Sequence, residues 1–243
     1  MVSTAIILAG GLGSRLKNVL KGLPKPMAPI RDRPFLEYQM DFWISQGITR
    51  FILSVGHLNH IIIDHFGYSY NKASIDYIVE DELLGTGGAL LLASQGLTET
   101  FLVLNGDTFF EVDLNNLIAF HNKRKSEVSL SIFKSNHLNR YMGVNLKNDS
   151  EILSLQSKEN DLTALINGGV YLVSPTALSR FNKKTFKKSS LENDLLPKFI
   201  SLGGCLYGFE SSGKFIDIGA VSYTHLRAHE TLMNLVCRLL LEK

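Results

Sequence analysis

Several residues of this chain are placed where they could handle a polyanion. Gly10-Gly11-Leu12-Gly13-Ser14-Arg15 follows directly on the apolar run Ala5-Ile6-Ile7-Leu8-Ala9. That run is short, β-branched and closed by glycine, so it reads as a buried strand. A glycine turn after a strand lets backbone N–H groups approach a phosphate with no Cβ in the way. The contacts expected there are Leu8, Ala9, Gly10, Gly11, Gly13 and Ser14. Arg15 adds a planar, permanently charged set of donors. Lys25 adds a second cation between Pro24 and Pro26, which restrict its backbone. Arg15 and Lys25 are therefore the catalytic candidates at a site for a nucleoside triphosphate.

Two isolated acids suit a metal ion at the same site. Asp107 ends Leu104-Asn105-Gly106-Asp107, and Asp217 lies in Phe215-Ile216-Asp217-Ile218-Gly219. Mg²⁺ takes oxygen ligands, typically one or two carboxylates alongside phosphates and water. Acids at strand ends also act as caps and turn formers, so neither is diagnostic alone. In Glu82-Leu83-Leu84-Gly85-Thr86-Gly87-Gly88 the glycines allow a flat base to come close, and Thr86 can hydrogen-bond a ribose or a base. A plain helix start capped by Thr86 fits the same residues.

Other chemistries are disfavoured. The dinucleotide fingerprint G-x-G-x-x-G fails at Leu16, and the strand Phe51-Ile52-Leu53-Ser54-Val55 ends without the acid that would hold a ribose. The Gly-Lys-Ser/Thr of a P-loop is absent. A net charge of +2, from 25 basic and 23 acidic residues, implies no strong attraction to nucleic acid or membrane. Two cysteines make no disulfide framework. His57, His60 and His65 lack zinc-site spacing and read as surface or helix-end residues. The N-terminus enters a strand without a basic leader, and no apolar run reaches a membrane span, so the cytoplasm is the expected location.

The elements that must carry these residues alternate. Strands are expected at 5–9, 50–55, 75–79 and 101–104, and helices at 34–46, 58–66, 88–95 and 114–123. This pattern implies a mostly parallel sheet covered on both faces, with the loops at the strand C-termini along one edge. The second half is richer in strands, at 127–133, 143–146, 152–155, 165–173, 206–209 and 214–218. A helix is expected at 190–200, with Ser190 as a possible N-cap. At 243 residues with 45% hydrophobic content, one α/β domain over 1–220 is expected. Its nucleotide-binding half covers about 1–125 and its sugar-binding half about 126–220.

The glycine loop with Pro24-Lys25-Pro26, Leu84-Gly85-Thr86, Asn105-Gly106-Asp107, Asn167-Gly168-Gly169-Val170-Tyr171 and Phe215–Gly219 together resemble the sugar-phosphate nucleotidyltransferase family over residues 5–219. The resemblance implies a Rossmann-like mixed, mostly parallel sheet with helices on both faces, of the nucleotide-diphospho-sugar transferase type. It implies Mg²⁺ held by Asp107 and Asp217. It places Glu82, Gly85, Thr86 and Gly87 at the nucleotide, and Asn167, Lys158, Gly143 and Glu192 at the sugar phosphate. The chain departs from the family pattern in places. Gly87 takes an alanine position, Ser157 replaces the acid before Lys158, and Arg140-Tyr141-Met142-Gly143 only partly follows the usual order. Lys158 also reads as a surface lysine, and Glu192 as an acid near a helix start.

The wording is most similar to the branch that guanylylates D-glycero-D-manno-heptose 1-phosphate. This implies GTP and a sugar 1-phosphate as substrates, and a GDP-sugar and pyrophosphate as products. Mannose 1-phosphate guanylyltransferases and glucose 1-phosphate thymidylyl- or uridylyltransferases are the neighbouring alternatives. A non-catalytic nucleotide-sugar-binding regulator on the same fold is the alternative of a different class. Retention of Arg15, Lys25, Asp107 and Asp217 argues against it. A homodimer is one assembly the sequence allows. Residues 221–243 depart from the family's continuation after Asp-Ile-Gly and read as non-native sequence, with a divergent amphipathic helix as the other reading.

Overall fold

The computed structural model describes residues 2–11, 20, 22–135, 142–155, 164–181 and 187–219. In chain order the first half gives β1 (Thr4–Leu8), a 3₁₀ turn at Lys25–Met27, the ribbon strands β2 (Pro29–Ile30) and β3 (Arg33–Pro34), α1 (Phe35–Ser45), β4 (Arg50–Val55) and α2 (Asn59–Phe66). Next come β5 (Ser69–Tyr70), β6 (Ala73–Val79), α3 (Gly85–Ala93), β7 (Phe101–Asn105), β8 (Thr108–Phe110) and α4 (Leu114–Arg124). The second half gives β9 (Val128–Ser135), β10 (Gly143–Leu146), β11 (Ile152–Ser154), β12 (Ala164–Val173) and α5 (Pro175–Leu178). A π-helical turn at Leu191–Leu195 then runs into α6 (Leu196–Ser201), followed by β13 (Leu206–Glu210) and β14 (Phe215–Asp217).

One ten-stranded mixed sheet runs β11-β10-β12-β7-β1-β4-β6-β5, with β9 beside β12 and β13 beside β9. Strands β7, β1, β4 and β6 are parallel neighbours, whereas β12 joins β7 antiparallel. The apolar runs of β1, β4 and β7 follow from burial on both faces, whereas β6 alternates, with Ser74 and Asp76 exposed. Ile7, Phe51, Leu53, Leu102 and Leu104 enter the core beneath Leu36, Met40 and Trp43 of α1. Ile6, Leu8, Ile52 and Val103 alternate to the other face, against Ala89, Leu90 and Leu91 of α3. The fold is therefore the helix-covered mixed α/β sheet that the alternation implied.

Two local features differ from the pattern reading, and both serve the site. The helix expected at 88–95 begins at Gly85, so Gly85 and Thr86 form its first turn. Thr108–Phe110 pairs antiparallel with Phe215–Asp217 as a separate two-stranded ribbon, with Thr108 opposite Asp217. A pair this short is marginal by itself. It is held by Phe109, Ile216 and Ile218, buried with Phe35, Tyr38 and Ile30 in a third apolar cluster.

Candidate active site

The C-terminal ends of β1, β6 and β7 face one cavity of about 670 Å³. Such crevices at the strand C-termini are where open α/β sheets bind ligands. Leu8, Ala9, Gly10 and Gly11 form part of its wall, with Asn105, Gly106 and Asp107 beside them. The walls meet closely, because Gly106 N donates to the Leu8 carbonyl at 3.1 Å. A Cβ on Gly10 would lie 2.3 Å from Glu80 Oε1, so any side chain there would displace the Glu80 carboxylate.

At one end of the cavity the ribbon of β8 and β14 brings Asp107 and Asp217 together. Ile218 N donates to the Asp107 carbonyl at 3.1 Å, and both acids line the cavity. Lys25, fixed by the Pro24 and Pro26 flanks of its 3₁₀ turn, donates from Nζ to Asp107 Oδ2. Its ammonium lies against Gly219, whose N–H donates to Asp217 Oδ1 at 2.7 Å. Two hard carboxylates on neighbouring positions, open to a cavity that can admit phosphate oxygens, form a donor set that suits Mg²⁺. Among the described residues no group of three or more His, Cys, Asp or Glu is arranged to hold a metal. Any ion here would thus need ligands from substrate or water in addition to the two aspartates.

The other end is lined by Glu80, Leu83, Gly85, Thr86, Ala89 and Lys188. Glu80 directly follows β6. Its Oε2 accepts from Leu84 N at 3.0 Å and its Oε1 from Ser54 Oγ at 3.2 Å. The carboxylate is thereby held as a fixed, acceptor-only group. Glu82 does not reach this cavity. It lies outside, half-paired with Lys187 Nζ at 3.2 Å, and its side chain is 72% exposed. Gly87 is buried against Ser189 and Leu195 and does not line the cavity.

Behind the cavity lies a polar chain. Asn167 Nδ2 donates to Tyr171 Oη at 2.7 Å, and Tyr171 Oη donates to Glu192 Oε1 at 2.9 Å. Glu192 Oε2 accepts from Thr86 Oγ1 at 3.1 Å and from Ser190 Oγ at 3.3 Å. Burial, and then the charge of Glu192, push the Tyr171 hydroxyl pKa well above its usual value, so it stays a donor. Gly143 is buried in β10, opposite Ile166, next to the Met142 carbonyl that accepts from Asn167 N. Asn167, Glu192 and Gly143 thus stand next to one another but form no part of the cavity lining. Gly13, Ser14, Arg15, Lys158 and the segment 221–243 lie outside the described residues.

The sequence reading missed Glu80 and Lys188. For Glu80 a signal was present: it is the first residue past β6, at the sheet edge that carries the other sites, whereas Glu82 stands two residues further out. Lys188 had none, since it is tertiary pairing of Ser189 with Leu84, Gly87 and Gly88 that brings its loop against α3.

Residues 4–232 match the family described as Nucleotidyl transferase. The chain belongs to the nucleotidyl transferase family. Among nucleotidyl transferases it is similar to the D-glycero-alpha-D-manno-heptose 1-phosphate guanylyltransferase of Aneurinibacillus thermoaerophilus. The two are 40% identical over 88% of this chain and 92% of that protein. The protein of the same name from Campylobacter jejuni is 37% identical over 88% of this chain and 94% of its own length. The crystal structure of HddC from Yersinia pseudotuberculosis superposes with a TM-score of 0.81 at 34% identity, covering 95% of this chain and all of that one. The same protein complexed with GMP-PN gives a TM-score of 0.80 over the same share of this chain. These similarities support sugar-1-phosphate nucleotidyl transfer as the chemistry of the chain. No described helix is long and apolar enough to cross a membrane.

Proposed function

We propose that this nucleotidyl transferase joins GTP to D-glycero-α-D-manno-heptose 1-phosphate, giving the GDP-sugar and pyrophosphate. The observation that carries this reading is the convergence of Lys25, Asp107 and Asp217 at one end of a cavity whose other end presents Glu80 and the α3 N-terminus. The relatives named above, and GMP-PN bound to the Yersinia protein, support the choice of substrates.

In the reaction an anionic oxygen of the sugar phosphate attacks the α-phosphorus. The bond from that phosphorus to the bridging oxygen breaks, and pyrophosphate leaves with the electron pair. The attacking oxygen is already charged, so no general base is needed. The barrier is chiefly repulsion between anions and the alignment of two substrates. Lys25 offers an ammonium beside the polyphosphate, and fixed charges of this kind contribute roughly 3–4 kcal/mol per well-placed donor. Holding both substrates in line contributes about 7–11 kcal/mol more. Asp107 and Asp217 would hold Mg²⁺, which supplies charge neutralisation on the phosphates when bound. Arg15 joins Lys25 in this proposal on its sequence position.

Glu80 suits a guanine. The Watson–Crick edge of guanine carries N–H donors at N1 and N2 side by side, which one carboxylate can accept together. Uracil and thymine present a single N–H between two carbonyl oxygens, and those a carboxylate repels. Leu83 and Ala89 provide apolar surface for the base plane. On their sequence motifs Asn167 and Gly143 are proposed to lie on the sugar side, behind the cavity lining rather than in it.

The test is a matrix of four nucleoside triphosphates against heptose, mannose and glucose 1-phosphates, read by pyrophosphate release and product mass. The expected result is GDP-heptose as the dominant product. Nucleotide binding without pyrophosphate release under any pairing would overturn the catalytic reading.

A further inference from the structure

Tyr171 is completely buried, yet its hydroxyl is a link in a hydrogen-bond chain whose donors converge on Glu192 from both ends. Asn167 and Tyr171 lie four positions apart on β12. On a straight strand that spacing separates Cα atoms by about 13 Å. The strand is not straight there: its register against β9 shifts between Asn167 and Tyr171. Gly169 within this bulge has φ +73°, and a Cβ on it would lie 2.6 Å from Thr108 Oγ1. The bulge helps the Asn167 amide reach the Tyr171 hydroxyl at 2.7 Å.

The direction of each bond follows from the donors available. Gly169 N donates to Asn167 Oδ1 at 2.8 Å, which turns the Asn167 NH₂ towards Tyr171. Tyr171 accepts there and spends its single proton on Glu192. Thr86 Oγ1 accepts from Leu191 N at 2.8 Å and so directs its own proton to Glu192. Ser190 Oγ donates to the same carboxylate. Three hydroxyls therefore fill Glu192, which makes it a junction between β12 and the first turn of α3. Thr86 lines the cavity.

We propose that Tyr171 and Glu192 are positioning residues that couple the two substrates of this enzyme, by fixing Asn167 on the sugar side and Thr86 on the nucleotide side through one hydrogen-bond chain. This rests on the assignment of the two sides under the proposed function. Ordering either end sets the rotamers and proton directions along the chain. The first ligand therefore meets part of the ordering cost that the second would otherwise meet, and by linkage the effect is reciprocal.

The experiment is calorimetric and needs no turnover. The affinity for a non-hydrolysable GTP analogue is measured with and without saturating D-glycero-α-D-manno-heptose 1-phosphate, in the full chain and in two variants. In the unaltered protein the sugar phosphate is expected to tighten analogue binding about fivefold or more. In Tyr171→Phe, which keeps the ring and deletes the hydroxyl, the ratio is expected to fall to near one, with the affinity for the analogue alone within about twofold. Glu192→Gln interrupts the same chain at the junction and is expected to give the same ratio, which keeps the test decisive if Tyr171→Phe does not fold. A part that is merely structural would lower the melting temperature and leave the ratio intact. Coupling of unaltered size in a folded variant overturns the relay while leaving the substrate assignment standing. Binding of neither ligand by the unaltered protein overturns the assignment and the relay together.

Discussion

Gly219→Ala should separate catalysis from folding at this site. Gly219 does not adopt a left-handed backbone, so alanine meets no φ penalty there. Its Cβ would lie 2.2 Å from Lys25 Nζ, 2.9 Å from Lys25 Cε and 3.1 Å from Asp217 Oδ1. Ordinary contact requires the ammonium to retreat by roughly 1 Å or more. The obstructed atoms are the far end of a flexible side chain, so the stability change should stay within about 1 kcal/mol. Activity should respond far more, since a displacement of about 1 Å in a charge-handling group lowers turnover by roughly 100-fold. That corresponds to about 2.7 kcal/mol of transition-state stabilisation. The assay pairs pyrophosphate-release kinetics with a thermal melt. Wild-type kcat in a folded Gly219→Ala protein would refute the placement of Lys25 in the reaction. A large fall in melting temperature would instead make Gly219 a packing requirement.

Three further perturbations follow from particular side chains. Glu80→Gln replaces one of two acceptor oxygens with a donor facing the cavity, and should erode the preference for GTP over UTP by about 10–100-fold in kcat/KM. Glu82→Gln should leave kcat/KM for GTP within about twofold, because an exposed pair such as Glu82 with Lys187 contributes about 0–1 kcal/mol. Burial lowers the pKa of His121 from 6.5 to about 4, while its ring nitrogens meet Ser129 Oγ at 2.8 Å and Ser174 Oγ at 3.1 Å. The unfolded chain then takes up this proton before the folded one does. Stability is therefore complete above pH 6.5 and declines towards pH 4, by at most about 3 kcal/mol from this residue. Melting curves of His121→Asn and the unaltered protein at several pH values should converge as the pH falls; curves that run parallel would contradict this.

The parallel half of the fold was legible because β1, β4 and β7 are apolar on both faces and β6 alternates, and because α1 has a clear stop in the Gly47 that follows it. The region around Asn167 shows what periodicity cannot reach. Residues 165–173 read as one apolar strand, and one strand runs over Ala164–Val173, but a bulge at two glycines turns Asn167 and Tyr171 onto each other. The helix expected at 190–200 likewise opens as a π-helical turn, where Ser190 Oγ accepts from Asn193 N at 3.1 Å. Its hydrogen bonds to Thr86 depend on a contact with α3 that no local pattern encodes. The choice between Glu80 and Glu82 also turned on tertiary detail. Both acids follow the same strand, and it is the space left by Gly10 together with the Leu84 N–H that fixes Glu80 in the cavity.

The placement of the two aspartates has a consequence for how this site holds together. Asp107 follows a strand in the middle of the sheet, β7, and inherits its rigidity. Asp217 sits on three residues of β14 that pair only with the equally short β8. Nothing local to β14 would keep it there. Its position depends on Ile216 and Ile218, buried beside Phe109, Tyr38 and Phe35, and on the Ile218 N–H bond to the Asp107 carbonyl. Lys25 then spans the join, since it pairs with Asp107 and packs on Gly219. The carboxylate pair is thus a product of tertiary packing, in which one acid is set by the sheet and the other by an apolar patch beneath α1. Loss of that patch would separate the acids while leaving the parallel sheet, and with it most of the nucleotide cavity, in place.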